Sequence, residues 1–191
     1  MPPGESIPEK TAPAPLGLVQ RFVNSVDLEN GEDELTSPEA LRGWLAERGL
    51  MDSRERVTRA DLKRAIDVRE GLRALLLGNA GFPLDVERVQ RLDAAVARAG
   101  MRMRFQPGDE PALEPSSGGV DGALARLMAI VAGAVEDGRW ARLKACHRDP
   151  CFWAFYDKSK NRSGRWCNMQ DCGNIEKARA FRERRRGAPT A

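Results

Sequence analysis

Residues 146–172 read CHRDPCFWAFYDKSKNRSGRWCNMQDC and hold all four cysteines of the 191-residue chain. They fall as Cys146-x4-Cys151 and Cys167-x4-Cys172, with fifteen residues between the pairs. Two short cysteine pairs joined by a hairpin-sized insert suit a tetrahedral four-thiolate zinc site. Each tight knuckle presents two sulfurs from one side, and the insert lets the second pair close the tetrahedron. Four thiolates leave no open position for water or substrate, so the expected cofactor is one structural Zn²⁺ ion. His147, the sole histidine, is the alternative ligand, but its adjacency to Cys146 makes simultaneous ligation awkward.

Outward from the cysteines, residues 152–156 (FWAFY) form a β-prone run and 157–164 (DKSKNRSG) a turn. Arg165 and Trp166 lead back to Cys167, so a β-hairpin is predicted inside the insert. Gly173 and Asn174 suit a turn and an N-cap, and residues 175–186 read as a helix ended by Gly187 and Pro189. Bound zinc contributes about 10 to 16 kcal/mol of apparent folding free energy in modules of this size, which makes the end of the chain metal-dependent. Trp153, Phe155, Tyr156 and Trp166 are more readily its small core than a base-stacking platform.

Charge is distributed unevenly. From Arg139 onward there are fourteen Lys and Arg against five Asp and Glu, a net of +9, whereas residues 1–138 carry a net of −6. Four thiolates with Zn²⁺ bring the basic end to about +7. Lys158, Lys160, Arg162 and Arg165 crowd the predicted turn, and Lys177, Arg179, Arg182 and Arg186 lie on the last helix. Such a surface pairs with phosphates and releases counterions, so DNA is the expected partner; docking on an acidic protein surface is the alternative.

The acidic part is read as mainly helical. A first helix over 16–28 places Leu18, Phe22 and Val26 at fourfold spacing. Ser37-Pro38 starts a second with Leu41, Trp44 and Leu45 apolar, and Thr58 with Asp61 caps a third that ends near Gly78. Asp85 caps a fourth with Val86, Val89, Leu92 and Val96 inward. Met101, Met103 and Phe105 then alternate with arginines, as in a short hairpin, and the helical period returns from about residue 121 to 135. The fold class is therefore mainly α with a small β-hairpin: a Pro-rich disordered leader over 1–15, a helical domain over 16–139, a four-cysteine finger over 140–187 and a tail over 188–191.

Residues 142–174, RLKACHRDPCFWAFYDKSKNRSGRWCNMQDCGN, closely resemble the CGNR zinc finger, whose members read roughly RLRxCxxxxCxxxFYDxSrNrsRRWCsMxxCGNRxKxRrxRxR. Phe22-Val23-Asn24-Ser25-Val26-Asp27, the stretch REGLRALLL at 69–77 and the hairpin near residue 101 resemble the ABATE domain that precedes this finger in many bacterial proteins. The resemblance implies a bacterial transcription regulator with a C-terminal DNA-binding finger and an N-terminal domain that senses a stress or ligand. It makes Cys146, Cys151, Cys167 and Cys172 the zinc ligands. Ile175 and Gly164 stand where the resembling fingers carry arginine, so up to two phosphate contacts are lost, each flattening the salt dependence of log K by about 0.9.

The helical part could also bind a small-molecule effector if Asn24 and Asp27 on the first helix and Arg69 on the third converge on a pocket. No apolar run approaches the roughly 18 residues that span a bilayer, and the leader has no signal-peptide pattern, so no membrane and a cytoplasmic location are expected. An enzyme is not expected: there is one histidine, the cysteines are committed to metal, and no phosphate-binding loop or nucleophile elbow occurs. Assembly as a homodimer is left open by the sequence.

Overall fold

In the computed structural model, which describes residues 10–108 and 110–187 with the backbone alone for 186–187, local capping chemistry sets the starts of three helices. Ser37 accepts from the Ala40 amide at the head of α2 (Pro38–Glu47), with proline in the first turn. Thr58 and Asp61 form a reciprocal capping box on α3 (Arg59–Asn79), and Asp85 caps α4 (Val86–Val96). Two further helices, α1 (Leu16–Val23) and α5 (Gly119–Glu136), complete the body, and α6 (Asn174–Gly187) is the last element among the described residues.

The strands form three two-stranded antiparallel sheets among the described residues: β1 (Val26–Asp27) with β2 (Glu32–Asp33), β3 (Met101–Arg104) with β4 (Ala112–Pro115), and β5 (Leu143–Ala145) with β6 (Ala154–Tyr156). The body core joins Leu16, Val19 and Phe22 of α1 to Leu41, Trp44 and Leu45 of α2, Val68, Leu72 and Leu76 of α3, and Leu124 and Leu127 of α5. Helix α4 lies on α3 where Gly71 leaves room. A Cβ there would stand 2.4 Å from the Leu92 Cβ.

The β5–β6 sheet shows why the chain does not divide cleanly at residue 139. Leu143, Ala145, Ala154 and Tyr156 alternate onto one face and join the body core, while Lys144 and Phe155 face the other way. Phe155 joins a second cluster with the four cysteines, Trp153 and Trp166. A single small sheet therefore floors both the body and the finger.

Several expectations are corrected. Helix α1 stops at Val23 and not near residue 28, because the Asn24 side chain is held by the backbone N–H and carbonyl of Ala154, and Asp27 lies on β1. The finger's β-hairpin is not internal to the insert: β6 pairs with β5, upstream of Cys146, since that register puts four apolar side chains on the body. Within residues 10–15 of the expected disordered leader, Ala12 is buried and its amide donates to Gln20 Oε1 at 2.7 Å; residues 1–9 and the 188–191 tail lie outside the described residues. Val86 faces out because α4 buries only Leu92 and Ala95. The expected hairpin forms as β3 with β4, but burial does not alternate along β3: Met101 and Arg104 are half-buried, whereas Met103 and, just beyond the strand, Phe105 are exposed.

Candidate metal centre and the basic helix it holds

The four cysteines are buried and unlinked by disulfides. Their sulfurs all lie within 4.8 Å of one another. Cys151–Cys167 measures 3.7 Å, Cys167–Cys172 3.5 Å and Cys172–Cys151 3.7 Å. Sulfurs placed tetrahedrally about 2.3 Å from Zn²⁺ stand about 3.8 Å apart, so the cluster has the size and donor chemistry of one structural zinc site. The Cys172 thiol is pushed down by hydrogen bonds from Cys146, Cys151 and Cys167 and from Arg148, whereas the Cys167 thiol is pushed up by its three neighbouring sulfurs. Sulfurs this close cannot all carry charge unless a cation divides it among them.

Backbone geometry assembles the two knuckles. The Cys146 amide donates to Trp153 O and the His147 amide to Arg165 O, both at 2.9 Å, so the second cysteine pair is drawn against the first. Phe152 sits at φ +42°, and its carbonyl accepts from the buried Arg73 of α3 at 3.1 Å. Cys172 rides on a π-helical turn, Met169–Gly173, capped by Asn168. Gly173 lets the Met169 side chain lie close against the turn: a Cβ there would stand 2.5 Å from the Met169 sulfur and displace it. Helix α6 starts at the next residue, so its origin is set by a zinc ligand.

His147 is not a ligand. Its Nε2 donates to Ala80 O at 2.8 Å, Nδ1 accepts from Arg165, and its ring packs on Phe82 at 4.7 Å. Arg148, between the first two cysteines, was not singled out by the sequence reading. Its Nε donates to the Cys172 sulfur at 3.1 Å and its Nη2 to Glu29. That links the metal centre to the β1–β2 turn, and its place inside a knuckle is the one signal the sequence offers.

More of the finger's root is tied to the body. Gln20 and Asn24 both donate to Ala154 O, at 3.0 and 2.9 Å, and Asn79 donates to the carbonyls of Trp140 and Leu143. Arg73 also reaches Val23 O at 2.6 Å and Glu70 at 3.0 Å. Below the basic loop, Asp157 accepts from Lys144, from the Ser159 amide and from the Gly164 amide at 2.7 Å. Burial pushes the Asp157 carboxyl up, but these bonds outweigh it and hold it well below the usual carboxylate range.

The candidate phosphate-binding residues are at the surface. Lys158, Lys160, Arg162 and Arg165 are exposed on the loop, and Lys177, Arg179 and Arg182 on α6; the Arg186 side chain lies outside the described residues. Arg179 pairs with Glu183 at 3.2 Å. The three residues proposed for an effector pocket do not converge on one. Asn24 binds Ala154, Asp27 caps its own turn through the amides of Glu29 and Asn30, and Arg69 is bidentate to Asp33 at 2.7 and 2.9 Å. Neither of two open cavities, about 630 Å³ between α2 and α3 and about 520 Å³ between α5 and the β3–β4 hairpin, is lined by them.

Comparison with known families matches this architecture. The family model for ABATE, "Putative stress-induced transcription regulator", matches residues 16–138. The chain belongs to the ABATE family. The CGNR zinc finger model matches residues 142–185, directly after the ABATE segment and around all four cysteines. No curated protein matches the chain. In this ABATE protein the two matched segments share one core, through β5 and β6. Among the described residues no helix is long and apolar enough to cross a membrane.

Proposed function

We propose that this ABATE protein is a non-enzymatic, cytoplasmic regulator of transcription that binds duplex DNA, with α6 and the 158–165 loop contacting phosphates. The observation that carries this reading is the placement of the charge: the loop and helix cations are exposed, the loop is held by Asp157, and the helix starts directly after the turn that carries Cys172. Among the described residues Lys158, Lys160, Lys177 and Arg184 form no ion pair, so their charge is not neutralised within the molecule. Cations held on a rigid base displace counterions from DNA at little ordering cost.

Fluorescence anisotropy of labelled duplex DNA titrated at several salt concentrations tests the reading. Log K is expected to fall linearly with log salt, and the double change Arg179→Ala and Arg182→Ala is expected to flatten the slope by about 1.8, or 0.9 per contact. Affinity that ignores salt, or that survives this double change intact, rules DNA out and leaves an acidic protein partner as the reading.

A further inference from the structure

Helix α6 buries no described side chain, yet it carries Ile175 at 47% and Phe181 at 54% exposure. Its two half-buried residues, Glu176 and Ala180, mark the side turned toward the rest of the molecule. At about 100° per residue, Ile175, Ala178 and Phe181 form a strip on the opposite side. Arg182 and Arg185 fall within that strip, Arg179 borders it on one edge, and Lys177 and Arg184 border it on the other. Both acids of the helix, Glu176 and Glu183, lie off the strip. Arg185 reaches over the Phe181 ring at 5.9 Å without covering it.

Ile175, Ala178 and Phe181, with Arg182 and Arg185 among them and further cations along both edges, make a mixed apolar and cationic face that fits the DNA major groove. The floor of the DNA major groove presents thymine methyl groups, two phosphate strands wall it in, and its width of about 12 Å admits an α-helix. An acidic protein patch would match the cations but gives no reason for exposed apolar side chains interleaved with them. We propose that α6 enters the major groove and reads thymine methyls through Ile175 and Phe181, while the bordering cations hold the phosphate walls. This inference rests on the DNA-binding reading above and adds a source of sequence preference to it.

The test uses the full-length, zinc-loaded protein and two duplexes of equal charge: an alternating A·T duplex, and the same duplex with deoxyuridine replacing thymidine. The natural chain is expected to prefer the thymidine duplex by about fourfold per contacted methyl. The double change Ile175→Ala and Phe181→Ala is expected to keep its affinity for the deoxyuridine duplex and lose the preference. Both positions are exposed, so zinc content and circular dichroism should match the natural chain. Equal binding of the two duplexes by the natural chain overturns this inference alone, and no binding to either removes the DNA reading as well. Concentration-dependent self-association abolished by the double change would also overturn it, because the strip would then be covered by a second copy.

Discussion

The two halves of the finger are held by different means. Its first half, 143–157, is built into the body: four side chains of β5 and β6 lie in the body core, and Gln20, Asn24, Arg73 and Asn79 grip its backbone. Its last helix, α6, buries no described side chain and begins one residue beyond the turn that presents Cys172. Ordinary packing supports the first half, whereas the second takes its position from the sulfur cluster. Metal dependence should therefore divide the finger, not govern it as a unit.

The largest expected effect breaks that division open. Cys167→Ser should abolish stoichiometric zinc binding and with it about 10 to 16 kcal/mol of apparent ordering free energy. Hydrogen exchange should rise across 166–187 while 143–156 and α3 stay protected. If protection in α3 falls together with that of α6, the metal supports the whole molecule and the contrast is wrong. Next in size is Arg73→Ala, which strips partners from the carbonyls of Val23 and Phe152 and removes a buried cation from Glu70. A loss of about 3 to 5 kcal/mol in urea unfolding is expected, with one zinc per chain retained. A variant of unchanged stability would show that α3 is not the anchor of the first knuckle.

The smallest effect is a pH dependence confined to the body. Burial raises the Asp33 carboxyl, but hydrogen bonds from Arg69 and the Leu35 amide outweigh it and leave its pKa below the ordinary 3.8. A carboxyl depressed on folding stabilises above its unfolded pKa and loses that contribution as pH falls through the folded value. Unfolding midpoints of the natural chain should therefore drop more steeply below about pH 4 than those of Asp33→Asn. Parallel curves would remove the Arg69–Asp33 pair from the account of body stability.

Short-range chemistry was the legible part of this sequence. Cysteine spacing announced the metal centre, and Ser37-Pro38, Thr58 with Asp61, and Asp85 marked their helix starts because capping involves neighbours three residues apart. What escaped depends on partners far along the chain. The apolar spacing of Leu18, Phe22 and Val26 continues a helix that Asn24 interrupts by binding a backbone 130 residues away. β-propensity located β6, but only the body core decides that its partner is β5. Asn24, Asp27 and Arg69 looked available for a ligand because nothing in the sequence reveals that Ala154, the 29–30 amides and Asp33 already engage them.

The shared floor also limits what can be cut away. A finger excised at Arg142 would present Leu143, Ala145, Ala154 and Tyr156 to water and leave the carbonyls of Phe152 and Ala154 without their clamps. Grafted onto a foreign protein, it would demand a replacement foundation of matching shape, so this zinc element is not an interchangeable cassette.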